Sequence, residues 1–345
     1  MGVDLGDLVQ KETISVDSFS GKTLALDSYN ILYQFLSSIR QEDGTPLKDS
    51  KGNVTAHLSG LFYRTSKFLE AGIRPIFVFD GKANPLKHKV QQERIEAKET
   101  AIAKWKAALE VGNADEARKY AQATGKLTRE MVAESIELLS ALGVPSIQAV
   151  SDGEAQAAMM VQKGLAYATA SQDYDALLFG SPLLIRNLSI SGRRKVPRQD
   201  RYVLVEPEQL SLKDSLSFMG IDRLQLILLG TLLGTDFNEG VPRVGPKTAL
   251  KIVKENKTPD QLISYVKTKY EYEFEVDLNE VIQIFLNPPY TDVADIKWNS
   301  PDLERISKIL VDKHDFSIER VEKTINDLKK TLTEKGAQSR LEQWF

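Results

Sequence analysis

The sequence predicts an α/β fold with a mostly parallel central sheet. Short apolar runs ending in an acidic residue recur along the chain: TLALD to Asp27, PIFVFD to Asp80 and YATASQD to Asp173. Each is brief and bounded by turn residues, which reads as a buried strand. Between them lie stretches with apolar residues at helical spacing, such as AHLSGLFYRTSKFLEAG from Ala56 to Gly72, whose final glycine suits a helix C-terminus. Strands alternating with helices build a sheet of parallel strands, whose ligands sit beyond the carboxyl ends. The three aspartates would therefore gather at one edge.

The remaining segments follow in order. Residues 82–130 are charged, Ala-rich and without a strand signal, and predict a helical insertion over that edge. SLSFMGIDRLQLILLGTLLGTDF predicts a helical stretch leading into the turn-rich GVPRVGPKTALKIV, and Asn287-Pro288-Pro289 marks a loop. A final charged helix over 317–335 is expected to stop at Gly336. The expected organisation is one domain over 1–335, divided at 1–81, 82–130, 131–257 and 258–335, with a tail over 336–345. An apolar share of 42% in 345 residues suffices for a sizeable core. No apolar run is long enough to span a bilayer and no leader pattern opens the chain, so a cytoplasmic location is expected. The absence of cysteine excludes disulfide and thiolate chemistry.

The net charge of −3 is unlike the basic footprint of a nucleic-acid binder, but its distribution is uneven. Lys82 to Lys126 holds ten bases against six acids, and both Arg193–Arg201 and Arg243–Lys257 hold five against one. Three basic runs beside a set of acids favour an anionic polymer as partner.

A lone Asp at a strand end is usually a cap or a turn former. Here Asp27, Asp80 and Asp173 are joined by Asp175, by Asp152 and Glu154 in SDGEAQAA, and by Asp236 after LLGT. Burying so many carboxylates together is unfavourable unless cations neutralise them. Oxygen donors without cysteine favour Mg²⁺ or Mn²⁺ over zinc, and a pair of ions about 4 Å apart is the usual device for cutting phosphodiesters.

The segments LALDSYNILYQFL, FVFDGKANPLK, SDGEAQAA, ASQDYDALLFGSP and LLGTDF, in this order and spacing, resemble the flap endonuclease family of 5′ nucleases, of the archaeal type. The resemblance covers essentially the whole chain. It implies a PIN-like nuclease fold with a helical arch at 82–130 and a helix-hairpin-helix element. It also implies two Mg²⁺ ions and cleavage of 5′ flaps in DNA replication and repair. By the same resemblance Asp27, Asp80, Asp152 and Glu154 serve mainly the first metal, and Asp173, Asp175 and Asp236 the second. The family usually has Glu where this chain has Asp152, so that carboxylate would reach the metal through water. Lys87 and Arg94, two helical turns apart, would sit over the scissile phosphate. Tyr33 would stack on a base beside the cut. Arg40, Thr55, Arg64 and, once Met1 is removed, Gly2 would lie near duplex DNA.

GVPRVGPKTA resembles a helix-hairpin-helix turn, with Arg243 in place of the first glycine of the usual pair. Gly240, Arg243, Gly245, Lys247 and Thr248 would anchor duplex there, often with a bound K⁺, because exposed backbone N–H groups at a helix start suit phosphate. Gln338, Leu341, Trp344 and Phe345 have the spacing of a peptide that binds a sliding clamp of the PCNA type. The rival readings are an aspartyl-phosphate phosphatase, suggested by Asp173-x-Asp175, and a non-catalytic DNA-junction or clamp-binding module. The phosphatase leaves the basic segments unexplained, and the full set of acids argues against the module. The chain is expected to be a monomer.

Overall fold

In the computed structural model the predicted apolar runs form the central strands of one sheet. It describes residues 2–342 other than 42–43, 112, 114–115, 117–119, 121–123 and 196–200. The strands of this sheet are β1 (Glu12–Thr13), β2 (Thr23–Asp27), β3 (Arg74–Phe79), β4 (Ser146–Gln148), β5 (Ala168–Ala170), β6 (Leu183–Arg186) and β9 (Glu208–Ser211). They lie in the order β1-β9-β6-β5-β2-β3-β4. Strands β6, β5, β2, β3 and β4 pair in parallel, while β9 and β1 close one side antiparallel. A separate hairpin joins β7 (Gly192–Lys195) to β8 (Tyr202–Val205).

Both faces of the parallel strands are covered, so the strands read as nearly continuous apolar runs. Leu24, Leu26, Phe77 and Phe79 point to one face. There they pack under α1 (Ser28–Ser38), α2 (Ala56–Glu70), α4 (Arg129–Ala141) and α13 (Ile318–Glu342). Ala25, Ile76 and Val78 alternate to the other face and meet Ala157, Met160 and Val161 of α5 (Gly153–Gln162). Beyond them a larger cluster is built from α8 (Arg223–Leu233), α9 (Pro246–Glu255) and α11 (Leu278–Leu286).

Three expectations differ from what is found. The stretch read as one helical run is two helices, α7 (Leu212–Met219) and α8, bent by 79°. Gly220 adopts φ 65° between them, and Asp222 restarts the chain with a capping box to Gln225. No single helix among the described residues is long and apolar enough to cross a membrane. Next, α13 runs through Gly336 to Glu342. One interior glycine costs only about 1 kcal/mol against alanine, and good helix formers flank it on both sides. Finally, Lys87 closes a 3₁₀ turn (Pro85–Lys87), and α3 (His88–Glu110) starts only at the next residue. Lys87 and Arg94 therefore do not share one continuous α-helix.

Candidate active site

The strand order reverses between β2 and β5, which leaves a crevice at their carboxyl ends. Asp27 ends β2 and caps α1, accepting the Asn30 N–H at 3.2 Å. Asp80 follows β3, and its Oδ1 accepts the Gly153 N–H at 2.8 Å. That bond ties β3 to the start of α5, where Asp152 and Glu154 flank the glycine. A Cβ on Gly153 would stand 2.8 Å from the same oxygen, closer than real side chains approach.

Ser171, just past β5, accepts the Asp173 N–H at 3.2 Å and donates to Glu154 Oε1 at 2.6 Å, with Asp27 Oδ2 3.3 Å away. Asn30 Nδ2 donates to Asp173 at 3.0 Å. Asp175 opens α6 (Asp175–Leu178) and accepts the Val3 N–H at 2.7 Å. Asp236 stands in a turn after α8, tied by Thr235 Oγ1 donating to Asn238 Oδ1 at 2.7 Å and held down by buried Phe237. Five segments far apart in sequence thus deliver the seven predicted carboxylates to one edge.

Burial, and then the charge of Asp80, push the Asp27 carboxyl up to about 8. Burial also raises Asp80 to about 6, against the Gly153 N–H and Lys87, which favour its ionised form. Asp175 rises to about 7 through burial and then Asp236, and burial with Asp27 carries Glu154 well above the carboxylate range. Like charges in a water-poor crevice disfavour one another's ionisation. The Lys87 ammonium contacts Asp152 and lies 3.4 Å from Asp236 Oδ2. Burial works against its charge, yet these two acids hold it above the ordinary lysine range.

No three His, Cys, Asp or Glu side chains among the described residues already converge as a metal cage. The donor set nevertheless fits a hard dication by its chemistry, being all oxygen, anionic, buried and mutually repelling. His57 and His314 stand apart, facing Glu134, with His314 also on Asp49.

Other predicted residues are placed as follows. Tyr33 is 44% exposed, with Lys98 of α3 5.9 Å from its ring centre. Arg40 donates to Ser37 O, Gly44 O and Thr124 Oγ1, so its guanidinium locks a loop. Arg64 donates to Ser191 O at 3.0 Å, and Thr55 is buried at the start of α2. Gly2 packs so closely on Asp175 that a Cβ would lie 2.4 Å from Oδ1.

Gly240 lies against the end of α8, where a Cβ would meet Leu233 O at 2.4 Å. Arg243, Gly245, Lys247 and Thr248 are exposed around the start of α9, and Arg243 adopts φ 66°. The side chains of Arg94, Gln338 and Leu341, and the whole of Trp344 and Phe345, lie outside the described residues. Sequence reading passed over Asn30, Ser171 and Val3. Asn30 had a local signal, sitting three residues after the capping Asp27; Ser171 had only its place two residues before Asp173, and Val3 had none.

The XPG N-terminal domain model matches residues 1–101 and the XPG I-region model residues 143–236. Flap endonuclease 1 of Aeropyrum pernix is 51% identical over the full length of both chains. The chain belongs to the flap endonuclease family. Flap endonuclease 1 of Methanococcoides burtonii is 50% identical, again over all of both chains. Among solved structures, flap endonuclease-1 from Methanococcus jannaschii superposes with a TM-score of 0.75 at 38% identity, over 97% of this chain and 100% of that one. The catalytic core of Rad2 in complex with DNA substrate shares the fold with a TM-score of 0.70 at 24% identity, covering 95% of this chain and 100% of that one.

Proposed function

We propose that this flap endonuclease cuts a single-stranded 5′ flap where it joins duplex DNA, in Okazaki-fragment maturation and repair, with 5′-3′ exonuclease activity on ends. The observation that carries the reading is the gathering of seven carboxylates at one sheet edge, with an exposed cationic turn following Asp236 in the chain. Two Mg²⁺ ions, replaceable by Mn²⁺, would be held by Asp27, Asp80, Asp152 and Glu154 and by Asp173, Asp175 and Asp236, and would supply activated water and stabilise the leaving oxygen.

The protein's own groups do the rest. Lys87, now paired with Asp152 and Asp236, would swing its ammonium onto the scissile phosphate, with Arg94 beside it, and stabilise charge developing there. Tyr33, exposed on α1, offers a face for a base in any sequence. Gly245 at the start of α9 has open space where a Cβ would be, so a phosphate backbone can approach its N–H. Lys247 and Arg243 add charge, and K⁺ would sit in the same turn. Gly2, Arg40, Thr55 and Arg64 would support the duplex. Gln338, Leu341, Trp344 and Phe345 would engage a clamp of the PCNA type and raise the enzyme's concentration at junctions. The working form is a monomer.

The test incubates the protein with a double flap carrying a one-nucleotide 3′ flap, with nicked duplex and with a small phosphoester, each with and without Mg²⁺. Cleavage of the flap alone, near the junction and only with Mg²⁺, is expected. Turnover of the phosphoester with flaps left intact would overturn the reading.

A further inference from the structure

Arg186 ends β6, beside the strand that leads into Asp173-Tyr174-Asp175. Its Nε donates to Gln172 O at 3.0 Å, and its Nη1 donates to the Tyr174 hydroxyl. The guanidinium also lies 4.1 Å from the Tyr174 ring centre. One side chain thus fastens the backbone before Asp173 and the side chain after it. Tyr174 is 5% exposed, so the ring is a fixed post between the two acids. Across the antiparallel pair Arg186 stands opposite Glu208, with Nη1 3.5 Å from Oε2. Its charge is thereby matched away from the crevice.

We propose that Arg186 is a positioning residue: it holds Asp173 and Asp175 in register for metal by clamping Gln172 O and the Tyr174 hydroxyl, without touching metal or DNA. Only arginine's rigid fork reaches both acceptors, because a lysine ammonium is a single point charge. Partners that orient ligating carboxylates are worth about 10- to 100-fold in metal affinity or activity. The inference rests on Asp173 and Asp175 being metal ligands.

The test compares Arg186→Lys, Tyr174→Phe and Asp173→Asn. It measures Mn²⁺ isotherms without DNA by electron paramagnetic resonance, flap Kd in Ca²⁺, kcat and melting temperature. Arg186→Lys should weaken one class of Mn²⁺ site and lower kcat by about tenfold or more, with flap Kd unchanged. Tyr174→Phe, which keeps the ring and loses one acceptor, should shift both in the same direction by less. It also carries the test if Arg186→Lys fails to fold. Wild-type isotherms and kcat in the folded variants would overturn the proposal, as would a loss confined to flap Kd, which would make Arg186 a DNA tether. A wild-type isotherm in Asp173→Asn would overturn the ligand reading of the loop itself.

Discussion

At position 153 a backbone N–H reaches Asp80, and a methyl group there would stand 2.8 Å from the accepting oxygen. Gly153→Ala should therefore lower kcat about tenfold or more, because Asp80 is pushed aside. Wild-type turnover would show that Asp80 has room to move. Lys87→Ala should lower kcat about a hundredfold with little change in flap Kd, since its contact with phosphate would strengthen in the transition state. A fall in affinity alone would make Lys87 a tether. The placement of Asp27, Asp80 and Asp173 at strand ends was legible because each of the three follows an apolar run. Val3 was not, because its partner Asp175 lies 172 residues along the chain, and Ser171 was not, because its bond to Glu154, 17 residues back, forms only once the sheet edge is assembled.

The turn before α9 requires a left-handed residue at 243, and this chain places arginine there at φ 66°. A residue with a Cβ is disfavoured in that region by about 1–2 kcal/mol. Arg243→Gly should raise the melting temperature by a few degrees, yet weaken binding to every duplex substrate and lower its salt slope by about one unit. An unchanged slope would remove Arg243 from the phosphate surface. Strands and helices of the sheet were legible because apolar period and length agree. The end of α13 was not: Gly336 looks like a stop in isolation, but residues on both sides favour continuing the helix. The break at Gly220 was equally hidden, because apolar residues run on across it.

Across the whole molecule the raised carboxyls tie stability to pH. Asp27, Asp80 and Asp175, at about 8, 6 and 7, bind protons more tightly folded than they would in an unfolded chain. Their favourable contribution is complete below about pH 4 and is lost as pH rises to about 8. With chelator present, these groups should make the melting temperature decline over that window. Mg²⁺ should restore more of it at about pH 8 than at about pH 6, because fewer protons compete for the oxygens. Equal calorimetric shifts at both pH values would contradict this. The Val3–Asp175 bond has a further consequence, for synthesis. It joins residues 172 apart, and Asp236 comes later still. A nascent chain cannot complete the crevice until the Asp236 segment has left the ribosome, although its first strands can pair earlier. Ribosome-bound intermediates ending before that segment should be unable to cut DNA.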